Sequence, residues 1–239
     1  MSRSFVVTGN FWVGEVGFAT FFTGLQKSNP GLFPHKLNVE GYEHFMYHLK
    51  AWSSKKAISL NEFLGIFLAV YQETGGKFES ISEYGSKEYF ESKPYGYKAR
   101  GRGYIQVTWD YNYRLVLSQL GYNYDALSSE ELDELFAKNS KVAFGSVRIM
   151  LLEEKLLKKA YEGLSMGNFA GFGTKLNGSS AYGQELENRA LYILKAMQGK
   201  KLQNSVFLRN KDKIYKGIAI GSVMLALAMM AYAVYRNRQ

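Results

Sequence analysis

The sequence predicts a mainly α domain with irregular, function-bearing loops, followed by a C-terminal transmembrane helix. Three observations predict it. Apolar side chains recur at helical spacing, and two of these stretches open with capping signatures. Long glycine- and tyrosine-rich segments separate the helical ones. Residues 217–235, GIAIGSVMLALAMMAYAVY, run without a single charge.

Taken in chain order, residues 5–25 are apolar but contain Asn10, Glu15 and four glycines, with only Arg3 ahead of them. A secretory signal needs a compact apolar run and a small-residue cleavage site, so residues 1–32 are expected to be a packed N-terminal extension. Residues 39–52 read as a helix. Residues 58–72 carry the capping box Ser59-x-x-Glu62 ahead of Phe63, Leu64, Ile66, Phe67, Leu68 and Val70. This stretch is apolar nearly all round, which predicts a central buried helix, ended by Gly75-Gly76. Ser128-x-x-Glu131 opens a helix running to about Lys138. Residues 142–161 read as one long helix with Val147, Met150, Leu151, Leu157 and Ala160 for a core face, and residues 182–198 as the last helix of a 33–198 domain.

A basic linker, 199–216, precedes the apolar run, and a basic tail, 236–239, follows it. Nineteen helical residues rise roughly 28 Å, near the thickness of a bilayer's hydrocarbon core. Lys211, Lys213 and Lys216 flank one side, Arg236 and Arg238 the other, and Tyr232 and Tyr235 sit where interfacial aromatics belong. The expectation is a single-pass anchor in a lipid bilayer, with the larger N-terminal domain on the cytoplasmic side. Gly217 and Gly221 form one G-x-x-x-G pair, so a homo-oligomer stays open as a partner state.

Composition excludes several functions. The chain has no cysteine, which removes disulfides and thiolate metal sites. Aromatics at 15% are too abundant for a disordered chain. The net charge of +9 invites a nucleic-acid reading, but it is concentrated in the tail. Residues 1–195 hold 22 Lys/Arg against 20 Asp/Glu, whereas residues 196–239 hold eight against one. The domain therefore lacks the basic excess that nucleic acid would require. His44 and His48 stand four apart with Glu43 ahead of them, which is not the zinc-binding His-Glu-x-x-His order. No metal and no cofactor are expected.

The chemistry-bearing stretch runs from Glu73 to Tyr113. Glu73 ends the apolar helix, where partial desolvation favours a neutral carboxyl able to protonate a leaving-group oxygen. Farther on comes Gly101-Arg102-Gly103-Tyr104-Ile105-Gln106-Val107-Thr108-Trp109-Asp110-Tyr111-Asn112-Tyr113. Its glycines permit close backbone approach. Gln106, Thr108 and Asn112 offer uncharged hydrogen-bonding groups suited to sugar hydroxyls and N-acetyl groups. Ile105, Val107 and Trp109 alternate with them as a short strand would. Tyr104, Trp109, Tyr111 and Tyr113 supply apolar platforms for sugar faces.

These residues resemble glycoside hydrolase family 19, the chitinases and the related phage and bacterial endolysins of the lysozyme superfamily. That family has a helix ending in His-Glu-(Ser/Thr)-Gly-Gly and a loop of the form Gly-Arg-Gly-x-Ile-Gln-(Leu)-(Ser/Thr)-(Trp/Gly)-x-x-Asn-Tyr. This chain has Gln72-Glu73-Thr74-Gly75-Gly76 and the loop from Gly101 to Tyr113. Leu176-Asn177-Gly178 resembles the family's Ile-Asn-Gly, and Asn188-Arg189 followed by Tyr192 resembles its Asp-Arg-x-x-x-Tyr helix. The resemblance spans roughly residues 33–198 and implies a lysozyme-like fold.

It also implies roles. Glu73 is the general acid, and a second carboxylate downstream is the base that activates water. The mechanism inverts the anomeric centre, so the two carboxyls stand roughly 6.5–9.5 Å apart. Thr108 helps to hold the water. Gln106, Asn112 and Asn177 bind sugar, with Tyr104 and Trp109 beside them, and Arg189 and Arg102 tune charge. For the base, Glu83 followed by Tyr84 fits best, with Glu79 and Glu88 as alternatives. Three departures stand out: Gln72 replaces the usual His, Ser179 replaces a glycine, and an acid expected shortly after it has no clear match.

The resulting expectation is a membrane-anchored enzyme that hydrolyses β-1,4 bonds between N-acetylated amino sugars of peptidoglycan or a chitin-like glycan. The anchor points to a virion membrane of a lipid-containing phage, with virion proteins as neighbours, or to the host inner membrane during lysis. Alternatives are a lytic transglycosylase, a chitinase and a non-catalytic wall-binding virion protein.

Overall fold

The computed structural model describes residues 15–53 and 58–197. Helix α3 (Leu60–Glu73) organises them. Its start is fixed by the expected capping box: the Ser59 N–H donates to Glu62 Oε2 at 2.6 Å, and the Glu62 N–H donates to Ser59 Oγ at 3.2 Å. Every side chain from Phe63 to Tyr71 is buried. Phe67 meets Phe18 and Phe22 of α1 (Glu15–Ser28) edge-on, with ring centroids 5.0 and 4.8 Å apart, and leans on Phe78 at 5.2 Å. Such edge-to-face pairs add about 0.5–1.5 kcal/mol each beyond the area they bury. The N-terminal segment thus contributes Phe18 and Phe22 to the core.

Helix α2 (Val39–Ser53) brings Tyr42 and Phe45 onto Phe78. Helices α8 (Lys155–Leu164) and α9 (Phe169–Asn177) pack on α3. Leu164 comes so close to Gly65 that a Cβ there would stand 2.5 Å from its Cδ1. A further helix, α10, starts at residue 180. These elements belong to one compact unit, Met1–Leu191; in the second, Tyr192–Gln239, residues 192–197 are described and are helical.

Between α3 and the later helices lies a small irregular lobe. β1 (Ile81–Ser82) pairs antiparallel with β2 (Arg102–Gly103), with Ile81 opposite Gly103 and Ser82 opposite Arg102. Helix α4 (Lys87–Glu91) sits between them in sequence, and α5 (Asp110–Gln119), α6 (Ser129–Lys138) and α7 (Ser140–Glu153) follow. The Ser128/Glu131 capping box opens α6 as expected. Buried ionic contacts brace the lobe. Arg102 is fully buried; its Nε donates to Asp133 at 2.6 Å, and its other nitrogens reach Tyr113, Ser129 and the Lys98 and Arg100 carbonyls. Arg100 also pairs with Asp133, and Ser82 donates to it at 2.7 Å.

Three expectations are corrected. The 142–161 helix is broken at Glu154, whose extended backbone and side chain cap α8 by accepting the Leu157 N–H. The alternating 105–109 stretch is a turn rather than a strand: Arg102 bridges to Val107, and Trp109, at φ 76°, begins α5. The fold class of a mainly α domain plus a C-terminal transmembrane helix is corrected to mainly helical. Among the described residues no helix is long and apolar enough to cross a membrane. The apolar α3 has only 14 residues against the ~20 a bilayer needs, and α10 carries Glu185, Glu187 and Arg189. Residues 217–235 lie outside the described residues.

Asp133→Ala leaves Arg100 and Arg102 buried without a counter-charge. Its expected cost, read by denaturant unfolding, is about 3 kcal/mol, as for a broken buried ion pair. A loss under about 1 kcal/mol, the scale of an exposed pair, contradicts this role.

Candidate active site

Glu73 is placed by the end of α3. Gly75 and Gly76 take φ of 57° and 76°, and a Cβ on Gly76 would stand 2.5 Å from the Lys36 carbonyl oxygen. Thr74 locks the turn: its hydroxyl donates to the Val70 carbonyl at 2.7 Å and accepts the Phe78 N–H at 3.0 Å. The half-buried Glu73 carboxyl therefore has a fixed origin. Burial pushes it above the ordinary carboxyl range. Tyr182 and Asn177 offset that in part, and the negative charge of Glu83 pushes it further up.

Tyr182, on α10, was not anticipated from the sequence. Its hydroxyl is buried and approaches Glu73 without full hydrogen-bond geometry, and among the described residues no other group partners it. Burial and the Glu73 charge hold it well above the ordinary tyrosine value. The α9–α10 corner thus delivers Asn177 and Tyr182 to one carboxyl. Gly183 makes that corner close: a Cβ there would lie 2.2 Å from Thr174 Oγ1. Tyr182 follows Asn177 by five residues, a proximity that only the helix-to-helix turn reveals.

Glu83 follows β1. Its N–H donates to the Gly101 carbonyl at 2.7 Å, and its Oε2 accepts the Gly101 N–H at 3.1 Å. Tyr95 donates to Oε1 at 3.4 Å. Gly101 is required here, since a Cβ would stand 2.5 Å from Gln106 Oε1 and 3.3 Å from Glu83 Oε2. The other acids are elsewhere. Glu79 is exposed and accepts from Asn38 at 3.3 Å. Glu88 is exposed in the first turn of α4, where its own N–H and the Ser86 hydroxyl hold it below the ordinary range. Of the three, Glu83 is the one whose charge is felt at Glu73.

The 101–112 loop is internally braced. Gln106, at φ 53°, donates from Nε2 to the Gly103 carbonyl at 3.1 Å and the Ile81 carbonyl at 3.3 Å. Thr108 donates to the Gln106 carbonyl at 2.9 Å, which leaves its oxygen lone pairs as acceptors. Asn112 donates to the Thr108 carbonyl at 2.8 Å, while its Oδ1 is buried without a partner. Trp109 is 38% exposed, stacks on Tyr111 and meets Tyr95 edge-on. Left-handed backbone at Gln106 and Trp109, neither of them glycine, is strain of the kind that concentrates at functional loops.

Two anticipated residues fall away from this surface. Tyr104 is buried against Phe45, and burial pushes its hydroxyl up to about 12. Arg102 faces Asp133 beneath the hairpin. Arg189 is also buried: it donates to the Leu32 carbonyl at 2.7 Å, to Gln72 and to Glu185. The glutamine ahead of Glu73 is therefore an acceptor for this arginine. His44 and His48 meet edge-on, and His48 stacks on Phe144. Compared with known proteins, the chain matches no family model and no curated protein.

Because the folded chain binds the Glu73 proton more tightly than the unfolded chain, the associated stability is complete below the ordinary carboxyl pKa. It is lost as pH rises through the raised value. Glu73→Gln is thus expected to be more stable than wild type at pH 8, with the gap closing towards pH 4. Thermal unfolding across this range checks it; a pH-independent gap contradicts it.

Proposed function

We propose that the chain is a glycoside hydrolase that cuts β-1,4 bonds between N-acetylated amino sugars, with peptidoglycan as its substrate. One observation carries the reading: two carboxyls from separate elements act on each other electrostatically, Glu73 with its proton affinity raised by burial and by the Glu83 charge, and Glu83 held by the Gly101 N–H and Tyr95. Paired carboxyls in unlike surroundings divide the acid and base roles. The motif resemblance to family 19 glycosidases at 72–76 and 101–113 supports the same assignment.

In this mechanism Glu73 donates its proton to the glycosidic oxygen as the bond to the anomeric carbon breaks. Glu83 takes a proton from a water that attacks that carbon from the opposite face. Thr108, already donating to Gln106, accepts a hydrogen bond from the water. Asn177 binds polar groups of the sugar, the buried Asn112 holds the Thr108 carbonyl in place from behind, and Trp109 supplies a platform for a ring face. Tyr182 positions the Glu73 carboxyl and returns a hydrogen bond once it is ionised. Each turnover returns the acid and base to their starting states through solvent.

Reducing-end release from purified peptidoglycan tests the reading. Glu73→Gln and Glu83→Gln are each expected to lower the rate by about 10²–10⁴, the usual range for a general acid or base. Glu79→Gln and Glu88→Gln should stay near wild type. Full activity in Glu73→Gln would sink the assignment. Tyr182→Phe is expected to displace the basic limb of the pH–rate profile while binding of substrate persists; an unmoved limb contradicts its role at Glu73.

A further inference from the structure

A cavity of about 440 Å³ opens beside the Glu83 hairpin, and its lining differs in kind from the uncharged loop. Tyr95 belongs to both. Its hydroxyl donates to Glu83 and its ring meets Trp109, so the cavity borders the Glu83 side of the site. Elsewhere the cavity is lined by charges of both signs, with Lys98 and Arg114 facing Asp110 and Asp125 around the ring of Tyr124.

The cations are available in different degrees. The half-buried Lys98 places its ammonium 4.5 Å from the centre of the Tyr124 ring and forms no ion pair among the described residues. Arg114 pairs with Asp125 at 2.7 Å, but both side chains are more than half exposed, and such a pair contributes little and exchanges readily. Asp110 is tied to the Tyr124 hydroxyl. A chain of neutral N-acetylated sugars has no use for this lining. A short acidic peptide attached to alternate sugars does, because it carries carboxylates and, with a diamino acid, an ammonium group.

We propose that this cavity is the stem-peptide site of the glycan-cutting cleft. Lys98 receives a peptide carboxylate, Arg114 a second one in exchange for Asp125, and Asp125, once released, takes the ammonium. Tyr95 and Tyr97 cover the peptide's apolar stem. The inference rests on the glycosidase reading and narrows it, since the cavity selects peptide-bearing peptidoglycan over chitin.

The test uses the full chain and a soluble stem tetrapeptide containing D-glutamate and a diamino acid, titrated by amide chemical-shift changes. Saturable binding is expected. Lys98→Gln, and separately Arg114→Gln, should each weaken it about tenfold, the scale of one charge-assisted hydrogen bond. A neutral chitin tetrasaccharide should not displace the peptide. Absence of saturable binding, or binding untouched by both variants, overturns the proposal. In parallel, glycan strands with and without their peptides are assayed for cleavage; the peptide is expected to lower KM in wild type and not in Lys98→Gln. Tetrapeptide binding without cleavage of either strand upholds the cavity and removes the glycosidase reading. Equal cleavage of both strands without tetrapeptide binding removes the cavity and leaves the glycosidase.

Discussion

The site depends on one carboxylate that takes no part in the proposed chemistry. Asp133, on α6, accepts from Arg102, Arg100 and Ser82, so it gathers both strands of the hairpin and the segment that enters it. The Glu83 backbone bond to Gly101 and its side-chain bond to the Gly101 N–H both follow from that register. A buried arginine is tolerable only when it is paired and its donors are satisfied, and Arg102 meets both conditions. The opposing carboxyl has a different foundation. Glu73 hangs from the end of α3, which the aromatic core holds rigid. The two halves of the site are thus positioned independently, one by ionic bracing and one by apolar packing.

That division separates what the sequence made legible from what it did not. The capping boxes at Ser59/Glu62 and Ser128/Glu131 are local, three-residue relationships, and they form as read. The burial of α3 and its end at Gly75-Gly76 follow from composition alone. The preference for Glu83 over Glu79 and Glu88 rests on a motif pattern, and the hairpin sets the Glu83 carboxylate against the Gly101 N–H. Tyr104 and Arg102 lie in the motif loop but turn inward, a choice made by Phe45 and Asp133 far off in sequence. The same applies to Tyr182, whose partner is more than a hundred residues away.

One departure from the motif also has a structural counterpart. Gln72 stands where a histidine is usual, and here its amide oxygen accepts from the buried Arg189. An arginine-to-amide contact keeps a donor-rich group satisfied beside Glu73 without adding a charge that titrates near neutrality. The polar groups at the α9–α10 corner then act on Glu73 directly. The proton affinity of Glu73 is set by its burial, by Tyr182 and Asn177, and by the charge of Glu83.

The proposed chemistry stands on the electrostatic coupling between Glu73 and Glu83. It is measured most directly by following the Glu73 side-chain carboxyl carbon by NMR through a pH titration, in wild type and in Glu83→Gln. A midpoint above the ordinary glutamate value is expected in wild type, moving down when the Glu83 charge is removed. An ordinary midpoint that Glu83→Gln leaves in place would contradict it.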